Sequence, residues 1–168
     1  MADLKRLKLL AHAKGFFCRG MAKGYASGAK AIPLSGDADW KVFEYRDNDR
    51  DWYLQDRYYV DPTTGKSVGE TRIYYEHQLI WIMFYGGFYP KEAVPCLKAA
   101  LMANYTKGIF NAGRGKDMYV KGDYIYMIAP QEPCSFERFF AREGIRNKSD
   151  DDGLKRAGGH KMWGMALI

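Results

Sequence analysis

The segment Leu79–Tyr85 limits the possible folds of this chain more than any other part of the sequence. Its seven residues are all apolar or aromatic, and Gly86-Gly87 follow directly. Such a run is too short for a helix and is typical of a strand that is buried on both faces. We therefore expect a central strand that ends at the two glycines, with a layer of protein on each side of it.

A related segment lies near the end of the sequence. Trp81-Ile82-Met83 matches Trp163-Gly164-Met165, and Asp51-Trp52-Tyr53-Leu54 matches Asp123-Tyr124-Ile125-Tyr126. Each match is short, but their common order and similar spacing are typical of an internal repeat. The sequence predicts one domain, 1–168, with repeats over about 3–87 and 90–168.

Each predicted repeat contains one helix followed by four strands. Apolar residues recur at helical spacing over 3–23, where Gly15 and Gly20 could end the helix early, and again from Glu92, with Pro95 in the first turn. Runs of β-branched and aromatic residues predict the strands, which are 40–45, 52–60, 68–75, 79–85, 118–120, 124–128, 136–145 and 160–168. A turn over 47–49 and a solvated loop through 150–153 and 158–159 are also expected.

The predicted fold class is α+β: two αββββ repeats with antiparallel sheets, each covered by a helix, and packed by a pseudo-twofold. The second face of each sheet would be covered by the other repeat or by another subunit. A homodimer is one arrangement that provides such a cover.

The composition indicates a globular, cytoplasmic protein. The chain is 47% hydrophobic and 27% charged, with a formal net charge of +6. It has no apolar run of 18 residues, and its first residues are charged, so we expect neither a membrane span nor a signal peptide. The three cysteines are far apart, and the histidines lack metal-ligand spacing, so no disulfide framework, metal or cofactor is predicted.

Charged residues on aromatic strand faces are the strongest candidates for a site. Alternation places Asp56 with Trp52 and Tyr58, and Glu70 with Arg72. A buried carboxylate needs a partner, so pairing of Asp56 or Glu70 with Arg72 is one interpretation. The other is a pocket for a small molecule or a protein partner. Its predicted residues are Trp52, Asp56, Tyr58, Glu70, Arg72, Trp81 and Tyr85.

Two other functions are weighed against this non-catalytic binding role. One is recognition of a nucleotide or nucleic acid by the aromatic sheet and the basic residues Lys107, Arg114, Lys116 and Lys121. Gly113-Arg114-Gly115-Lys116 lacks the full phosphate-loop pattern and predicts a flexible loop. The other is an enzyme that uses Asp56 and Glu70 as acid and base. The sequence contains no G-x-S-x-G motif, which argues against a serine hydrolase of that type.

Several short motifs resemble a bacterial family, domain of unknown function 5680, which occurs alone or behind a helix-turn-helix module. They are Leu9–Lys14 with Tyr25-Ala26, Asp51–Tyr53 with Asp56 and Tyr58, Gly69-Glu70, and Ile80–Met83 with Tyr85-Gly86. The resemblance covers about residues 5–105 and implies a bacterial or phage source, but no activity. Val68 departs from the family pattern of an aromatic or small residue before Gly-Glu. No helix pair for DNA reading is attached, so DNA-dependent regulation is not implied.

Overall fold

The computed structural model describes residues 2–48, 51–149 and 156–168. Helix α1 spans Ala2–Lys23 and α2 spans Val94–Tyr105, with short 3-10 helices at Tyr25–Ser27 and Lys91–Ala93. The strands are β1 Ile32–Leu34, β2 Asp37–Arg46, β3 Trp52–Val60, β4 Lys66–Tyr75, β5 Gln78–Phe88, β6 Met118–Lys121, β7 Tyr124–Gln131, β8 Arg138–Asn147 and β9 Arg156–Ala166. Asp49, in the predicted turn, and 150–153, in the predicted loop, lie outside the described residues.

The strands form one antiparallel sheet in the order β1-β2-β3-β4-β5-β9-β8-β7-β6. The predicted α+β class and the antiparallel pairing are confirmed. The prediction of separate sheets is wrong, because β5 pairs with β9 from Trp81↔Ala166 to Phe88↔Gly159. The two groups of four strands therefore lie edge to edge in one sheet.

Both helices pack on one face of the sheet, which we call the inner face. Phe17 of α1 contacts Trp81 of β5, with ring centroids 5.1 Å apart, and it also contacts Tyr105 of α2. Leu54 and Ile73 are fully buried in the same core. The opposite, outer face carries exposed apolar side chains, among them Val68, Trp163 and Met165. The expected burial of the central strand on both faces is therefore wrong for its outer side.

Helix α1 continues through both of its glycines, so the expectation that it ends early is wrong. At Gly20 an added Cβ would lie 3.0 Å from Leu54 Cδ1 and 3.0 Å from Tyr45 Cδ1. The glycine lets the helix backbone approach the sheet closely, and this packing outweighs the low helix propensity of glycine. Pro95 lies in the first turn of α2, as predicted.

The glycines near the β5–β9 pair lie within the strands. Gly86-Gly87 belong to β5 and Gly158-Gly159 to β9, so the predicted strand end and the predicted loop at these positions are both wrong. An added Cβ at Gly87 would lie 2.0 Å from the carbonyl oxygen of Gly159. Because β5 and β9 approach so closely, a larger residue does not fit there.

The two matched tryptophans have unlike surroundings. Trp81 is 0% exposed and donates a 2.8 Å hydrogen bond from Nε1 to the carbonyl oxygen of Phe136. Trp163 is 43% exposed and stacks on Phe84 of the outer face. Because they lie on opposite faces, no rotation about an axis normal to the sheet superposes one on the other. The predicted equivalence of these two segments is wrong.

Candidate functional site

A cavity of about 210 Å³ lies between the helices and the inner face. Apolar side chains from four elements line most of it, namely Met21, Ala26, Val60, Val94, Leu97 and Leu101. Its polar lining includes Asp56, Tyr58, Tyr85, Arg114 and His160. Val60 and Lys91 are exposed and mark a side where the lining reaches solvent. Small-molecule sites are usually lined by many apolar groups and a few polar ones, and this cavity has that composition.

Asp56 is the most unusual group in this cavity, since it is a carboxylate with only 2% of its surface exposed. Thr71 Oγ1 and the Tyr85 hydroxyl each donate a 2.9 Å hydrogen bond to Asp56 Oδ1. Burial raises the pKa of Asp56, because the charged form loses its hydration, although these two bonds and the positive charge of Arg114 oppose the shift. Burial and the neighbouring Asp56 also raise the pKa of Tyr85 well above its usual value. The pair therefore favours protonated forms.

A second buried carboxylate, Glu143, is fully paired. Arg114 Nε lies 3.0 Å from each Glu143 oxygen, and the Tyr126 hydroxyl donates a 2.6 Å bond to Oε2. Burial alone would raise the pKa of Glu143, but the guanidinium beside it and its hydrogen bonds hold that pKa below its usual value. Glu143 and Arg114 thus form an ion pair in which Arg114 contacts both carboxylate oxygens and Oε2 also accepts from Tyr126.

His160 lies beside this ion pair and joins it to β4. Its Nε2 is 3.0 Å from Ser67 Oγ, and its Nδ1 is 3.9 Å from Glu143 Oε1. Burial, together with the positive charge of Arg114, lowers the pKa of His160 to about 4, despite the opposing effect of Glu143. His160 is therefore neutral near pH 7 and can exchange hydrogen bonds at the cavity wall without adding charge.

The structure brings together three of the seven residues predicted for the pocket: Asp56, Tyr58 and Tyr85 line the cavity. Trp52 and Trp81 share the inner face but lie in the packed core rather than along the cavity. Trp52 packs between His12 and Tyr75, and Trp81 stacks on Phe136. Their predicted role as cavity walls is wrong, because α1 and the Phe136 segment already cover these rings.

Glu70 and Arg72 lie on the outer face, so including them in the same pocket was wrong. Arg72 Nη2 lies 2.7 Å from Glu70 Oε1, and Arg57 pairs with the same oxygen. One interpretation of the sequence was that Asp56 or Glu70 pairs with Arg72. The structure confirms this pairing for Glu70 but not for Asp56. Since the sheet separates Asp56 from Glu70, these two carboxylates cannot act as acid and base on one substrate.

The sequence predicts that Arg114 belongs to a basic surface loop, and the structure shows that it does not. Residues 112–115 are buried, and Arg114 is 4% exposed in its ion pair with Glu143. Asn104 Nδ2 donates to the carbonyl oxygen of Arg114, which ties this loop to α2. The flexible-loop prediction is wrong for these residues, whereas Lys107, Lys116 and Lys121 are exposed.

Glu143, His160, Ser67 and Tyr126 were not predicted as site residues. Strand alternation places Glu143 between the buried Ala141 and Ile145 on one face, which is the same signal that identified Asp56. The partner Arg114 comes from a loop, and no periodicity in the sequence indicates where a loop residue will lie.

Within the described ranges, no group of three or more His, Cys, Asp or Glu side chains is placed to hold a metal ion. Burial raises the pKa of the Cys18 thiol to about 11, which keeps this cysteine protonated. No helix among the described residues has the length and apolar character needed to cross a bilayer.

Comparison with known proteins found no match among protein-family models, curated proteins or solved structures. The resemblance to domain of unknown function 5680 therefore stays a prediction.

Proposed function

We propose that the protein binds a small, largely apolar molecule in the inner cavity and does not transform it chemically. The observation that carries this proposal is a cavity of about 210 Å³ with a buried carboxyl group, Asp56, on an otherwise mostly apolar wall. An apolar cavity of about 150 Å³ is large enough to bind benzene. A ligand with one ring or a short branched chain matches this size.

Asp56 would orient the ligand through hydrogen bonding. Its two hydrogen bonds to other described residues both fall on Oδ1. A ligand with one polar group and an apolar body suits this arrangement, since a polar group left without a partner in an apolar site is unfavourable by about 1–3 kcal/mol. Tyr58, on the same strand and two residues along, would pack against the apolar body.

The proposal is tested by a substitution that places a larger side chain in the cavity. Val94 is half-buried at the start of α2 and lines the cavity, so Val94→Phe should occupy part of its volume. Val68→Phe is the matched control, because Val68 is 49% exposed on the outer face. The probe is p-cresol, which has one ring and one hydroxyl group, and binding is measured by isothermal titration calorimetry. Native mass spectrometry of protein purified without additives tests for a ligand that co-purifies.

We expect Val94→Phe to weaken binding of p-cresol at least about tenfold, which corresponds to about 1.4 kcal/mol. Val68→Phe should leave the affinity within about twofold. Equal binding by both variants, or no saturable binding of p-cresol together with no co-purified ligand, would contradict the proposal.

The two-repeat architecture remains part of this proposal. It is supported by the strand order, in which β2-β3-β4-β5 is followed by β9-β8-β7-β6, and by one helix before each group. A twofold axis between β5 and β9 would relate the groups. The residue match would then differ from Trp81 with Trp163, since inward positions of β5 must correspond to inward positions of β9.

A further inference from the structure

The outer face of the sheet carries a row of aromatic side chains across three neighbouring strands. Phe84 of β5 pairs with Trp163 of β9, and Trp163 pairs with Phe140 of β8. The Phe84 and Trp163 rings are stacked, with centroids 4.7 Å apart, and Trp163 is 43% exposed. We call these three residues the outer aromatic row. Because Trp163 is only partly covered, part of its ring is open to a planar group.

Cationic side chains flank the outer aromatic row on both sides. Side chains two residues apart on a strand point to the same face, about 7 Å from each other. Lys161 and Arg142 are therefore neighbours of Trp163 and Phe140 on one side, and Arg138 is a neighbour of Phe140 on the other. All three cations are exposed. Among the ion pairs of the described residues, none uses Lys161, Arg138 or Arg142.

The charge on this face is strongly unbalanced. Within the described part of β4, β5, β8 and β9, the outward positions carry one carboxylate, Glu70, against a larger number of cations, which include Lys66, Arg72, Arg138, Arg142 and Lys161. Glu70 is already paired with Arg57 and Arg72. The formal net charge of the whole chain is +6. The outer face thus combines exposed rings with an excess of positive charge.

This combination favours one kind of occupant. A second copy of the chain would bring its own cations against these cations, and like charges across an interface oppose association. A duplex hides its base faces, so it cannot use the rings. A single-stranded nucleic acid offers both phosphates and unstacked bases, and flat sheets with aromatic side chains bind such bases by stacking.

We propose that the outer face binds single-stranded nucleic acid, with bases stacked on the outer aromatic row and phosphates contacted by Arg138, Arg142 and Lys161. This site is separate from the inner cavity, because the sheet lies between them. It also differs from the basic loop predicted from the sequence, in which Arg114 is buried.

The test is fluorescence anisotropy with a fluorescein-labelled oligothymidylate of about twenty nucleotides. Trp163→Ala should weaken binding roughly tenfold, because it removes a stacking platform, whereas Trp163→Tyr should retain most of the affinity. In the double variant Arg138→Gln/Arg142→Gln, the slope of log K against log salt should fall in magnitude by about 1.4, since each single-strand phosphate contact contributes about 0.7.

The matched control is Lys107→Gln/Lys116→Gln, which removes the same charge from exposed positions outside the outer face. It should leave both the affinity and the salt slope nearly unchanged, and circular dichroism melting shows whether each variant is folded. Absence of binding at low salt, or an equal loss in the control, would overturn the proposal. So would a dimer that is seen by sedimentation and broken by Trp163→Ala, because the face would then be a self-association surface.

Discussion

At the scale of single residues, Asp56 makes folding sensitive to pH. Its pKa is raised in the folded protein because it is buried, so the folded state binds a proton over a range in which the unfolded state has released it. The contribution of Asp56 to stability is therefore present at acid pH and is lost as pH rises from its unfolded pKa of 3.8 through its folded pKa. Asn imitates the protonated acid and has no such dependence.

We expect Asp56→Asn to gain stability relative to the native sequence as pH rises above about 4. Urea unfolding at a series of pH values measures this difference. A constant difference between Asp56→Asn and the native sequence across the range would show that the Asp56 pKa is not raised.

His160 should give a pH dependence of opposite sign. Its folded pKa of about 4 lies below its ordinary value of 6.5, so the unfolded chain takes up a proton first as the solution is acidified. Stability should fall between about pH 6.5 and 4 by up to about 1.4 kcal/mol per pH unit. In His160→Gln this part of the dependence should disappear from the urea-unfolding profile. If the profile of the variant matches that of the native sequence, His160 does not have a lowered pKa.

Removing one charge of the Glu143–Arg114 pair should lower the free energy of unfolding strongly. Glu143→Gln leaves the Arg114 guanidinium buried without a counter-charge, and we expect a loss of about 3–5 kcal/mol in the free energy of unfolding. Glu137→Gln breaks the exposed pair with Arg6 and should cost less than about 1 kcal/mol. Chemical denaturation compares the two variants, and similar losses in both would contradict the buried ion pair.

Predictions for single residues depended on strand alternation. This alternation correctly placed Asp56 on the same face as Tyr58, and Glu70 on the same face as Arg72. It could not tell which of these faces receives the helices, since that depends on chain connections rather than on local pattern. The predicted pocket therefore combined residues from the two sides of the sheet.

At the scale of elements, the two glycines of α1 have different functions. Gly15 is half-buried, with the Arg19 side chain 3.4 Å from an added Cβ, whereas Gly20 faces Leu54 and Tyr45. Gly15→Ala should stabilise the protein by about 0.5–1 kcal/mol because alanine favours the helix. Gly20→Ala should give no such gain, since the added methyl group pushes α1 away from the sheet. Thermal unfolding measures both, and an equal gain would contradict the close packing at Gly20.

The kinds and order of the helices and of eight strands could be predicted from periodicity and turn residues. The sequence gives a weaker signal for β1, a three-residue edge strand next to Pro33, and for glycines inside strands. Glycine usually marks an interruption, but in β5 and β9 it permits close backbone approach. This effect requires knowledge of the partner strand, which a local pattern does not contain.

At the scale of the whole molecule, β9 holds the sheet together. It pairs with β5 on one side and with β8 on the other, so it joins the two four-strand groups. Truncation after Gly159 removes most of this strand and should abolish cooperative unfolding. Truncation after Ala166 keeps the strand and should retain a cooperative thermal transition. Cooperative melting of the shorter protein would show that β9 is not required.

The short matches in the sequence favour two related halves, which stays a prediction, and they do not indicate how such halves would meet. A residue match along two strands does not say whether the strands stack face to face or pair edge to edge, because both arrangements bury apolar side chains. The β5 and β9 strands pair edge to edge, and the helices of the described residues all lie on one face of the resulting sheet. The outer face and the covered cavity that result from this arrangement are the two sites that we propose for binding.

The most direct test of the inner cavity is methyl NMR during titration with p-cresol. Binding in the cavity should shift the methyl signals of Met21, Val94, Leu97 and Leu101, which line it, and leave those of Val68 and Met165 on the outer face unchanged. Shifts confined to Val68 and Met165, or no saturable shift in any of these methyl groups together with no co-purified ligand, would contradict a ligand site between the helices and the sheet.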